Sequence, residues 1–75
     1  MGELNMVGHG IAKARQMHEP PLTQDALARR LQTLGWDIDR FGVSKIERGE
    51  RQITDKELFL FAKALSVDIG ILFKS

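Results

Sequence analysis

Between Thr23 and Gly49 the chain carries two short, helically spaced apolar runs separated by a glycine-bearing break, and no other feature restricts the fold as much. Leu27, Leu31 and Leu34 fall at i, i+4 and i+7, while Val43 and Ile46 fall three apart behind Ile38. Each run therefore offers one apolar face to a core and leaves one polar face over. On the second run the left-over face holds Arg40, Phe41, Ser44, Lys45 and Arg48: four side chains that can donate hydrogen bonds into a groove and one aromatic that can reach it.

The flanking segments repeat the pattern. Val7, Ile11 and Ala14 follow Leu4 by one turn and predict a first helix from about Gly8 to about His18, stopped by Pro20 and Pro21. These prolines hold Glu19 to Leu22 as a stiff connector. Thr23 caps the second helix, Asp25 sits where the helix dipole favours an anion, and Gly35 after Leu34 is a left-handed stop. Asp39 caps a third helix that ends at Gly49. Gly42 near its start is either an imperfect first-turn residue or a point of close approach to another backbone.

Thr54 and Glu57 form a capping box for a fourth helix reaching about Leu65, with Leu58, Phe61, Ala62 and Leu65 on one face. Phe59, Leu60 and Ala64 make it apolar nearly all round, which implies burial on two sides. Asp68 caps a last short helix bearing Ile69, Ile71, Leu72 and Phe73. No segment supports a strand, a repeat or a low-complexity tract. The expected class is all-α, with residues 1–75 as a single domain.

Composition narrows the chemistry. Without cysteine there is no disulfide and no thiolate metal site, and His9 and His18 have no third ligand nearby, so no metal is expected. The carboxylates are scattered and no nucleophile–base set can be assembled, so neither catalysis, a cofactor nor a small-molecule ligand is expected. The N-terminus lacks the apolar core of a signal peptide and no run would span a bilayer, so the expectation is a soluble, cytoplasmic protein. A net charge of +1 is weak for a nucleic-acid binder. Its distribution is more telling: Arg40, Lys45, Arg48 and Arg51 stand against Glu47 and Glu50 in a single short stretch. Two helices joined by a turn, the second with a basic outer face, is the layout of a DNA-reading helix-turn-helix.

The strings GHGIAKAR, LTQDALARRL, IDRFGVSKIERGER and LFLFAKALSVDIGILF, in this order, resemble the Cro/repressor-type helix-turn-helix domains of the xenobiotic response element family. The resemblance implies a five-helix bundle whose second helix lies across the DNA backbone and whose third enters the major groove. Double-stranded DNA is the implied partner, bound by a sequence-specific transcriptional regulator. By the same resemblance Arg40, Phe41, Ser44 and Lys45 face base edges, Gln24 clamps the DNA backbone, and Arg15 and Glu47 form a salt bridge bracing helix one against helix three. Arg48 and Arg51 would hold phosphates, and Ala28 is the small residue where the two motif helices cross. The chain departs from the family at QTLGWD, where an enlarged turn replaces a short one, and at Pro20–Pro21, where residues are inserted. Trp36 in the enlarged turn is either a lid on the core or a contact residue near DNA.

One short reading helix makes few base contacts, so a homodimer on a two-fold operator is expected. Phe59, Leu60, Ile69, Ile71, Leu72 and Phe73 either form its seam or close the small core. An antitoxin-like protein-interaction module using the same apolar surface is the alternative.

Overall fold

The computed structural model describes residues 7–73, and the expectation for Leu4 lies outside them. Four α-helices follow in order: α1 (Gly8–Met17), α2 (Gln24–Thr33), α3 (Arg40–Glu47) and α4 (Asp55–Leu65). The expected last short helix, Ile69–Phe73, is present as a 3₁₀ helix, so the described residues hold four α-helices and one 3₁₀ helix. Asp68 still starts it, its Oδ1 accepting from the Gly70 N–H at 3.3 Å. The Ile71 N–H donates to Asp68 O at 2.9 Å, the tighter i→i+3 bond of that helix type. No strand occurs among the described residues, and none of their helices is long and apolar enough to cross a membrane.

Capping explains where the helices begin. Thr23 Oγ1 accepts from the Ala26 N–H, Asp39 Oδ1 from the Gly42 N–H, and Thr54 with Glu57 closes the reciprocal capping box. α1 begins at Gly8 behind Val7, which supplies no side-chain cap. The ends of α2 and α3 share one device. After α2, Gly35 takes φ +99° while its N–H donates to Gln32 O and that of Trp36 to Leu31 O. After α3, Gly49 takes φ +76°, and its N–H and that of Glu50 donate to Ile46 O and Lys45 O. These are Schellman closures, which satisfy the last carbonyls and turn the chain sharply. α3 thus ends at Glu47, one turn component short of the glycine that stops it.

The core is one cluster built from every element: Val7 and Ile11, Leu27, Ala28 and Leu31, Ile38, Val43 and Ile46, Leu58, Phe61, Ala62, Ala64 and Leu65, and Leu72. α1 packs on α3 and on the 3₁₀ helix, and α2 packs on α3 and α4. Ala28, almost fully buried, occupies the core side of α2. The apolar set at the C-terminal end divides. Leu72 is fully buried, Leu60 and Ile69 lean on the core, and Phe59, Ile71 and Phe73 stay exposed. Leu72 is therefore removed from the candidates for a seam, and α4 is covered on less of its surface than its composition suggested.

Two glycines the sequence reading passed over set the packing distance. A β-carbon at Gly10 would fall on Leu72 O, and one at Gly8 would fall on Ile46 O and stand 2.9 Å from Glu47 O. α1 thus touches backbone at both ends of its N-terminal turn. At Gly42 the neighbour is a side chain, Ile38 Cγ1 at 2.7 Å from an added β-carbon, so neither expectation for that glycine is met as stated. Its bare α-carbon gives room to Ile38, which seals the start of α3.

Candidate nucleic-acid interface

α3 is held from behind and left open in front. Val43 and Ile46 are fully buried, whereas Arg40, Phe41 and Lys45 are exposed and Ser44 is half-buried. Arg40 stands at the first position of the helix, where the positive end of the dipole disfavours a cation by a few tenths of a kcal/mol. The Arg40 guanidinium carbon lies 5.0 Å from the centroid of the Phe41 ring, so cation and aromatic are presented together. Phe41 is 63% exposed, a large apolar area for a side chain with no packing task.

The brace expected between α1 and α3 is present. Arg15 Nε donates to Glu47 Oε2 at 2.8 Å and Nη2 to Oε1 at 3.1 Å, with the two side chains 13% and 5% exposed. Arg15 Nη1 also donates to Leu22 O, which ties the proline connector to the same point. Gln24 joins this network, its Nε2 donating to Glu47 Oε1 at 2.9 Å. The first residue of α2 and the last of α3 are thereby locked together, and the amide of Gln24 keeps its second proton and its oxygen for another partner.

The remaining cations are already engaged. Arg48 Nε and Nη2 grip both oxygens of Glu50, and Nη1 donates to Ser44 Oγ at 2.7 Å. Arg51 donates to both oxygens of Glu57 and to Gln52 O, and its guanidinium lies 5.7 Å from the Trp36 ring centroid. Burial pushes the Glu57 carboxyl up, but hydrogen bonds from Arg51 and the Thr54 N–H outweigh it and hold the group below its ordinary value. Trp36 packs edge-on against Phe61, centroids 5.4 Å apart, and leans on the core. That is the lid arrangement of the two readings available for it.

Two polar side chains missed in the sequence fix the frame. Gln32 Nε2 donates to Ile38 O at 2.8 Å across the α2–α3 connection, and Arg30 Nη1 donates to Ala64 O at 2.9 Å near the end of α4. One carbonyl lies six residues away and the other thirty-four, and no local pattern announces either bond. The available signal was weak: a long polar side chain within a turn of an apolar helix face.

The geometry is that of a short exposed helix, braced at its far end and sealed at its near end, beside the start of a second helix. A family model for helix-turn-helix domains matches residues 11–72. No curated protein and no solved structure matches the chain. The chain belongs to the helix-turn-helix family as a Cro/repressor-type domain of the xenobiotic response element kind, a family of DNA-binding regulators.

Proposed function

We propose that this chain is a sequence-specific transcriptional regulator that places α3 in the major groove of DNA. The observation that carries the reading is the division of α3 into a fully buried rear, Val43 and Ile46, and an exposed front, Arg40, Phe41 and Lys45 with Ser44 beside them. Arg40 and Lys45 match the acceptor pair O6 and N7 of guanine, Phe41 a thymine methyl, and Ser44 either a donor or an acceptor. Gln24, with the first N–H groups of α2, and Arg48 hold phosphates and so set the register. Arg51 is the weakest member of that group, because its partner Glu57 is only 20% exposed and belongs to the capping box of α4, whereas the Arg48–Glu50 pair is more than half exposed.

α3 has eight residues and is about 12 Å long, enough for a few base pairs. Specific recognition then calls for a two-fold pair of copies on a two-fold operator. The exposed Phe59, Ile71 and Phe73 are the seam we assign to that homodimer.

The test is selection of bound duplexes from a random pool, repeated with Arg40→Ala and Lys45→Ala. The wild-type chain should enrich a motif with two-fold symmetry, and each variant should lose about tenfold or more in preference at one position while keeping its helical spectrum. An unchanged preference in both variants refutes direct reading by α3. Gln24→Ala should weaken binding to every duplex alike; a change in the selected motif would refute its role at the backbone.

A further inference from the structure

The turn that ends α3 does more than stop a helix. Gly49 in its left-handed conformation swings the chain back, and the Glu50 N–H is pinned to Lys45 O at 2.9 Å. The Glu50 side chain is therefore delivered to the last turn of α3 by the backbone. There it meets Arg48 in fork-on-fork geometry, Nε to Oε2 at 3.0 Å and Nη2 to Oε1 at 3.1 Å. Two parallel N–H bonds to two anionic oxygens is also how a guanidinium grips a phosphate. The hydrogen bonds from Arg48, then its charge and that of Lys45, hold the Glu50 carboxyl below its ordinary value, so it is an anion at neutral pH. With Ser44 Oγ on Nη1, the Arg48 guanidinium is engaged on all three nitrogens.

We propose that Glu50 is an intramolecular competitor for the DNA phosphate that Arg48 would bind, restraining the affinity of this chain for every duplex. The proposal rests on the DNA-binding reading. Arg48 and Glu50 are both more than half exposed, so the pair opens readily and acts as a tax on binding, not a lock. When Arg48 turns to a phosphate, the released carboxylate is left beside the negatively charged DNA backbone and next to Lys45. Arg48 is one of only four cations between Arg40 and Arg51, so one such competitor removes a sizeable share of the charge that stretch can offer to phosphates.

The experiment measures affinity for a random-sequence duplex and for a selected duplex over a series of salt concentrations. It uses the wild-type chain, Glu50→Gln, Arg48→Ala and the double variant. Glu50→Gln should tighten both duplexes by roughly two- to five-fold, the range an exposed ion pair spans. Its plot of log K against log salt should steepen by up to about 0.9, the limit reached if Arg48 stays on Glu50 in every wild-type complex. In the Arg48→Ala background the gain from Glu50→Gln should be smaller. An equal or larger gain there shows a general field effect and overturns the proposal, as does no gain with Arg48 present. If the wild-type chain binds no duplex at low salt, the DNA-binding reading falls and this proposal with it; wild-type binding unaltered by Glu50→Gln removes the competitor alone.

Discussion

At Gly10 a single hydrogen atom decides how α1 meets the end of the domain, since a β-carbon would fall on the Leu72 carbonyl oxygen. Gly10→Ala should gain about 1 kcal/mol in helix propensity and lose more through the forced shift of backbone, for a net loss of about 1–2 kcal/mol in urea unfolding. A stabilised variant would show that the 3₁₀ helix can move aside freely. Glu57 is the other residue with several tasks, closing the capping box and holding Arg51. Its carboxyl is depressed in the folded chain, so the stability it lends is complete above the unfolded value and is lost as pH falls through the lower folded value. The stability gap between the wild-type chain and Glu57→Gln should be constant near neutral pH and close below about pH 4, as read by thermal unfolding. A gap unchanged in acid would mean that packing, not charge, holds Glu57. Thr54 and Glu57 were legible in the sequence because the capping box is local. Gly10 was not, because a glycine needed for a distant backbone looks the same as a tolerated one.

At the scale of elements the decisive unit is the α1–α3 brace with Gln24 attached. Glu47 accepts three hydrogen bonds while almost fully buried, and Arg15 has little water to replace it. Glu47→Ala should cost about 3 kcal/mol in chemical unfolding, since it strands a largely buried guanidinium. Replacing Arg15 and Glu47 together by methionine should cost less than that single change, because no unpaired charge remains. If the double variant is the less stable, the bridge itself, not the stranding of its partner, is what stabilises. The helices were readable from apolar spacing and caps, with ends within a residue or two. The last element was legible as a short helix but not as a 3₁₀ one, because apolar spacing and a capping aspartate say nothing of hydrogen-bond type. Gln32 and Arg30 were invisible for a related reason: each bonds a main-chain carbonyl, an acceptor every residue has.

For the whole molecule the open question is what covers Phe59, 65% exposed, with Ile71 and Phe73. A groove of about 640 Å³ lies beside Phe59, lined also by Leu60, Val67, Ile69 and the stems of Lys56 and Lys63. If these side chains form a homodimer seam, Phe59→Glu should leave the fold intact and convert the chain to a monomer by sedimentation. Its affinity for a two-fold operator should then fall by at least tenfold, while single half-sites are bound as before. A wild-type chain that sediments as a monomer and binds half-sites only would exclude the homodimer and favour a different protein partner for this surface. By itself the sequence determined the helices, their caps and stops, the residues of α3 that must face inward, and the family, because periodicity, capping and motif spacing are local properties of the chain. Only the tertiary structure decided that Leu72 is core while Phe59 is not, that Gly8 and Gly10 set the approach of α1, and that Trp36 rests on Phe61. It alone placed Glu50 in the fork of Arg48 and brought Gln24 onto the Glu47 already expected to pair with Arg15. Each of these depends on which surfaces meet in space, and burial and pairing are fixed by that meeting and not by the order of residues along the chain.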